Sequence, residues 1–277
     1  MKSYNHDIAT MTNLQVADYL KRGGTTVLVP AGATEQHGPY GPIGTDRFIA
    51  QEVCRRVAPD LNALVAPAIP YGLSITHKGA PGLIYVKIES YMAYVQDVVL
   101  ALNEAGFRRI IFLNGHYDNA AGITYGIRSI YDRLAPGTFA FCVNYWEAMK
   151  PEDAATYLGW EAGLHANIGE VSVMMALDPD SVDMTEAVAG WPSPPADIET
   201  DPFSATLAAI LPIPGSMLKV TPTGGWGDPS QATAEKGEAY LQVITRAVIR
   251  FVRDVVKTYE TMFETPAGRD VQVAGRR

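Results

Sequence analysis

The sequence predicts an α/β fold: a single-domain three-layer α/β/α arrangement with a mostly parallel central sheet. Through roughly the first 180 residues, short apolar runs alternate with segments of helical periodicity. Those runs are continuous rather than alternating, which is how strands buried on both faces read. With 47% hydrophobic and 19% charged residues over 277 positions, the chain has enough apolar side chain for one large core.

The elements follow in order. VLVPAG is the first strand, and TDRFIAQEVCRRVA is a helix that starts at Thr45 or Asp46 and carries Phe48 and Ile49 inward. ALVAPAIPYG is the second strand and ESYMAYVQDVVLALNEAGF the second helix. RIIFLNG, AAGITYGIRSIYDRLA and FAFCVNYW complete the strand, helix, strand rhythm. Gly23 and Gly106 stand where a helix C-terminus calls for a residue free to adopt positive φ. Residues 186–230, rich in Pro and Gly and without periodicity, are expected to run over the surface. A last helix from about Ala232 to Thr258 places Tyr240, Ile244, Val248, Phe251, Val252 and Val255 at three-to-four spacing, which suits packing on the sheet. The domain is expected to span 1–262, with a frayed tail over 263–277. No internal repeat or low-complexity tract is present.

Composition narrows the function. The 22 basic and 30 acidic residues give a net charge of −8 without a basic stripe, which argues against a nucleic-acid partner. Charges interrupt every apolar stretch well before the ~18 residues a membrane span needs, and the N-terminal MKSYNHDIATMTN lacks the pattern of a secretory signal. The expectation is a cytoplasmic protein that meets neither membrane nor nucleic acid and acts on a small molecule. Cys54 and Cys142 sit in a helical and a strand-like pattern and read as core thiols rather than a bridge.

The chemistry gathers where the predicted strands end, the usual place for ligands in a parallel sheet. Glu35, His37 and Asp46 follow the first strand, in TEQHGPYGPIGTD; His77 follows the second; Asn114, His116 and Asp118 follow the third, in NGHYDN; Trp146 follows the fourth. Four of the five histidines lie in these loops or in GWEAGLHANIGEVS, and His6 alone stands apart. A lone loop histidine or aspartate is more often a cap or turn former. Here, however, E-x-H puts two side chains on one side of an extended segment, and H-x-D repeats the arrangement. Carboxylates mixed with imidazoles suit Zn²⁺, Mn²⁺ or Fe²⁺; Ca²⁺ prefers oxygen alone, and no cysteine is near.

Three separated motifs carry a resemblance: EQHG through Asp46, NGHYDN at 114–119, and H-x4-E at His165 to Glu170 followed by SVMMALDPDSVDM. With TGGWGDPSQATAEKGE near the end, the chain from about 25 to 258 resembles the creatininase (creatinine amidohydrolase) family. The resemblance implies a binuclear site with two divalent ions per chain, zinc or manganese, with iron as a further option. Glu35, His116 and Asp118 would hold one ion, His37 and Glu170 the other, and Asp46 would bridge them. It also implies a homo-oligomer, with a hexamer as the form suggested. Two departures stand out. Asp118 is one methylene shorter than the glutamate of creatininases, and THKGAPGLIYV at 76–86 differs from the run usual at the pocket floor.

The implied reaction is hydrolysis of a C–N bond in a small cyclic amide, with creatinine opened to creatine the first choice. Other amidohydrolases of the family, such as a deformylase or a peptide-trimming enzyme of cofactor biosynthesis, are alternatives. So is a non-catalytic protein that binds a metal or metabolite. His165 is the candidate proton donor to the departing nitrogen, or else a partner that orients Glu170. Tyr117, Trp146, Trp160 and His77 would line the substrate, with ordinary packing the alternative for the aromatics.

Overall fold

The computed structural model describes residues 6–159, 162–192, 209–221 and 223–264. Four parallel strands, β1 (Thr26–Ala31), β2 (Ala63–Val65), β3 (Arg109–Asn114) and β4 (Phe139–Asn144), form the central sheet in the order β2-β1-β3-β4. Leu28 is in register with Val65 on one side and Ile111 on the other, and Ile111 faces Phe141.

Because side chains alternate across a sheet, the apolar runs feed two cores. Val27, Val29, Ile110, Phe112 and Ala140 pack with Tyr19, Tyr91, Val95 and Ile123. These come from helices α1 (Asn13–Lys21), α3 (Ile88–Glu104) and α4 (Asn119–Arg128). On the other face Leu28, Ile111, Leu113 and Val143 pack with Ile49, Val53, Val173, Ile244 and Val248. The helices there are α2 (Thr45–Val57), α5 (Pro151–Tyr157), α6 (Ile168–Leu177) and α8 (Ala234–Tyr259), with the four-residue α7 (Met217–Val220) preceding α8. The result is the expected three-layer α/β/α sandwich, and the two cysteines are free thiols within it.

Three details differ from the sequence reading. The second strand is continuous only over Ala63–Val65, and its pairing with β1 returns as a single bridge between Ile69 and Ala31. Pro30 is accommodated in central β1 on that same side: its carbonyl accepts Ile69 N–H at 2.9 Å where β2 has already ended. Residues 224–227, expected on the surface, are buried instead, with Trp226 1% exposed. They form β6 (Trp226–Gly227), antiparallel to β5 (Gly163–His165). The predicted C-terminal helix holds, although its buried stripe is Leu241, Ile244, Ala247, Val248 and Val252. Residues 265–277 of the predicted tail lie outside the described residues, and among those described no helix is long and apolar enough to cross a membrane.

Candidate metal centre

The strand order places a topological switch at β1: the chain leaves it for β2 on one side and returns to β3 on the other, so the loops beyond β1 and β3 part and leave a crevice. Glu35 and His37 rise from the loop after β1, Asp46 sits in the first turn of α2, and His116 follows β3. Two glycines let α2 approach this closely. A Cβ on Gly32 would lie 2.3 Å from Arg47 N, and one on Gly115 would lie 2.5 Å from Asp46 O. Any side chain at either place would push the Asp46 turn out of the crevice.

The remaining groups arrive from β5 and α6. Asn167 caps α6 by accepting Glu170 N–H at 2.9 Å, which turns Glu170 inward from the first helical turn. Ala166 holds φ at +51°, a left-handed conformation uncommon for alanine, and its N–H meets Glu170 Oε2 at 2.7 Å. His165 precedes it at the end of β5.

The side chains converge. Asp46 lies between two imidazoles, with Oδ1 3.1 Å from His37 Nε2 and Oδ2 3.3 Å from His116 Nδ1. His116 Nδ1 is also 3.2 Å from Glu35 Oε1, and His37 Nε2 is 3.9 Å from Glu170 Oε2. His165 lies between His37 and His77, its ring tilted against each, with centroids at 4.4 and 4.7 Å. Three sets of donor atoms stand close enough to share a cation: Glu35, Asp46 and His116; His37, His165 and Glu170; and Glu35, His77 and His165.

Backbone carbonyls set the imidazole tautomers. His37 Nδ1 donates to Glu35 O at 3.2 Å, His116 Nε2 to Leu73 O at 3.3 Å, and His165 Nε2 to Gln36 O at 2.7 Å. Each ring then turns its other nitrogen toward the carboxylates, as metal-ligating histidines do. Glu35 Oε2 is fully buried and makes no hydrogen bond, and Asp46 Oδ2, equally buried, has only the 3.3 Å contact with His116 Nδ1. Leaving such oxygens unpaired is costly, and divalent ions would satisfy them. The donor set therefore fits the cations that the motifs imply.

The electrostatics agree. Burial alone would lower the pKa of His37, yet Asp46, Glu170 and Glu35 hold it up at about 9. Burial works against His116 too, and Glu35 and Asp46 raise it well above the ordinary value. Asp46 stays far below the usual carboxylate range: burial would raise it, but His37 and His116 prevail. Burial lifts Glu170 to about 7, with His37 opposing. His165 and His77 go the other way, mainly through burial and then through the neighbouring imidazoles; His77 falls to about 3. In the metal-free chain, protons on His37 and His116 thus supply the positive charge of the cluster.

This has a consequence for stability. The pKa of His37 is raised on folding from about 6.5, so its contribution is complete below pH 6.5 and is lost as pH rises through about 9. Glu170, raised on folding to about 7, loses its contribution over a lower window in the same direction. Chelator-treated protein should therefore melt several degrees lower at pH 9 than at pH 6.5. Excess Zn²⁺ should abolish the difference, since ions replace the protons. Calorimetry at the two pH values checks it, and an unchanged melting temperature in the chelated protein would contradict the assignment.

Of the residues singled out from sequence, Glu35, His37, Asp46, His77, His116, His165 and Glu170 come together. Asp118 does not join any of the three donor sets. It is the N-cap residue of α4 but makes no side-chain cap bond. Burial raises its pKa, with His116 opposing, and Thr76 hydrogen-bonds its carboxylate. Tyr117 is 77% exposed beside His116. Trp146 is half-buried, edge-on to Tyr145 at 5.0 Å and packed on the core. Trp160 lies outside the described residues. Unforeseen were the roles of the buried amides that frame the site, of which only Asn114 is placed at a strand end by the sequence. Asn114 accepts His116 N–H and donates to Asn144 Oδ1, Asn119 ties Leu73 N–H to Gly32 O, and Gln36 reaches two histidines. Their only sequence signal was their place inside EQHG and NGHYDN.

Residues 9–252 match the family described as creatinine amidohydrolase. The creatinine amidohydrolase of Pseudomonas putida is 31% identical over 253 residues, covering 84% of this chain and 90% of that protein. The mycofactocin precursor peptide peptidase of Mycolicibacterium smegmatis is 32% identical over 219 residues, covering 76% and 78%. Among solved structures, a manganese form of creatininase superposes with a TM-score of 0.75 at 27% identity, covering 91% of this chain and 99% of that one.

Proposed function

The chain belongs to the creatinine amidohydrolase family, and from that premise we propose that this metal-dependent amidohydrolase opens a small cyclic amide, with creatinine hydrolysed to creatine as the leading reaction. The observation that carries the reading is Asp46 set between His37 and His116, each oxygen facing a different imidazole. A carboxylate so placed suits a bridge between two ions. Glu35 and His116 would hold one ion, His37 and Glu170 the other. The mixed donors and the manganese form of the related creatininase favour manganese or zinc. Two such ions supply an acidified water and a polarised carbonyl.

The residues of the chain do the rest. His165, neutral through burial, keeps a lone pair on Nδ1 while Nε2 is tied to Gln36 O. It would take the proton released by the attacking water at Nδ1 and return it to the departing nitrogen, so one imidazole serves as base and then as acid. Tyr117 at the rim and Trp146 near the end of β4 offer aromatic surface to a planar ring.

Asp118 is assigned to the rim rather than to an ion. Asp118→Asn should leave metal content unchanged after Mn²⁺ titration of metal-free protein. Turnover should fall about 10-fold or more, because a carboxylate that interacts with His116 and Glu35 is lost. Loss of an ion would return Asp118 to the ligands.

A second reading, a peptide-trimming hydrolase, is supported by the 32% identity to the mycofactocin precursor peptide peptidase. Protein reconstituted with Mn²⁺ or Zn²⁺ and assayed on creatinine, small lactams, formamides and short peptides separates the two. Creatinine turnover supports the first reading, cleavage of peptides alone supports the second, and inertness of fully loaded protein toward every amide overturns both.

A further inference from the structure

The third donor set, Glu35, His77 and His165, raises the question of why a binuclear centre should sit beside another trio able to bind a cation. The answer lies in Gln36, the residue between Glu35 and His37 in sequence, whose side chain is buried. Its orientation is determined by its surroundings. Oε1 accepts Gly38 N–H at 2.8 Å, a group that can only donate, so the amide nitrogen must occupy the other side. There Nε2 has two hydrogens and finds Gly224 O at 2.8 Å and His77 Nδ1 at 2.8 Å. His165 Nε2 is farther, at 3.2 Å, and already donates to Gln36 O. Both amide hydrogens are thereby used. His77 Nδ1 must be an acceptor, and its proton must stand on Nε2, which lies 3.3 Å from Glu35 Oε1.

We infer that Gln36 is a positioning residue that fixes His77 as a hydrogen-bond donor to Glu35 and so keeps the third donor set from holding an ion. An Nε2 that carries a hydrogen has no lone pair for a metal. By holding Glu35 Oε1, the oxygen that also lies 3.2 Å from His116 Nδ1, it fixes the carboxylate in the direction of the ion shared with His116 and Asp46. It also leaves His165 Nδ1 clear of a third ion, as proton transfer requires. The same amide ties this arrangement to the buried 224–227 segment, where Gly224 at φ +78° packs directly on the Gln36 side chain. The inference deepens the metal-centre reading and rests on it.

The test uses the full chain, ¹⁵N-labelled and loaded with Zn²⁺, with long-range ¹H–¹⁵N spectra for the imidazoles and elemental analysis for metal. The expected result is two zinc ions per chain and a His77 ring protonated at Nε2 and uncoordinated. Gln36→Glu, which offers His77 Nδ1 an acceptor, should move the proton to Nδ1 and let a third equivalent of zinc bind. Because that variant could lose its fold, two others keep the idea testable. His77→Gln retains a donor near the Nε2 position and should keep zinc affinity within a few-fold. His77→Leu should keep two sites but weaken zinc about 10- to 100-fold, the usual cost of losing a partner that orients a ligand. A zinc-shifted His77 resonance in the wild type, or an ion lost in His77→Gln, would make His77 a ligand and overturn the inference. Wild-type protein that binds no zinc would instead overturn the metal-centre reading beneath it.

Discussion

Asp46→Asn should abolish turnover and empty both metal positions while leaving the chain folded. The side chain is fully buried between His37 and His116, and each oxygen serves a different imidazole. An amide presents one oxygen and one NH₂ in their place, so at least one ion meets a donor where it needs a lone pair. Without both ions the reaction loses several kcal/mol of charge stabilisation, which corresponds to roughly 10³-fold or more in rate. The fold should survive, because α2 is capped by Gly44 without a side-chain bond and the polar partners of Asp46 are the imidazoles. The chelated variant carries a second signature. With the carboxylate gone, His37 is no longer held up by its strongest opposite charge, so the fall in stability between pH 6.5 and 9 should flatten. Metal analysis, turnover and melting curves on one preparation check all three. Two bound ions with normal turnover would remove Asp46 from the bridge.

The layers of the fold were legible because β1, β3 and β4 are uninterrupted apolar runs whose alternate residues feed opposite cores. What escaped was governed by backbone contacts rather than side-chain pattern. The second strand ends at Val65 and returns only as a bridge at Ile69, although the run ALVAPAIP is apolar throughout. The 224–227 segment looked like surface because glycine and proline usually mark loops. Here glycines allow close burial: Gly227 adopts φ +150°, and a Cβ on it would lie 2.8 Å from Asn167 Cβ. A hydropathy pattern does not record that kind of packing.

At the site, the alternation in EQHG pointed correctly to Glu35 and His37 sharing a cluster. It gave no reason to notice Gln36 between them, since an amide shows its importance only when Gly38, Gly224 and His77 are seen around it. The H-x-D spacing in NGHYDN suggested a second pair of ligands by the same logic. In the structure Asp118 joins none of the three donor sets although its carboxylate still interacts with His116 and Glu35; α4 starts at Asn119, and the chain at Asp118 has already turned helical. Side chains two apart share a face on a strand but not on a helix.

His165→Gln should lose roughly 10²–10⁴-fold in turnover, the range typical of general acid–base groups, with both ions retained. Glutamine is chosen because its amide nitrogen can reach the Nε2 position and keep the bond to Gln36 O, which in the native chain spans 2.7 Å. That bond anchors the end of β5, and with it Ala166, whose N–H holds Glu170 Oε2 at 2.7 Å. The substitution therefore preserves the support of a proposed ligand and deletes only the basic nitrogen at Nδ1. Three outcomes are distinct. Intact metal content with slow turnover, and loss of the pH dependence due to an imidazole, assigns proton transfer to Nδ1. Near-normal turnover would mean that His165 acts only through its bond to Gln36 O. Loss of an ion would place Nδ1 among the ligands with His37 and Glu170, the set of atoms it already stands beside.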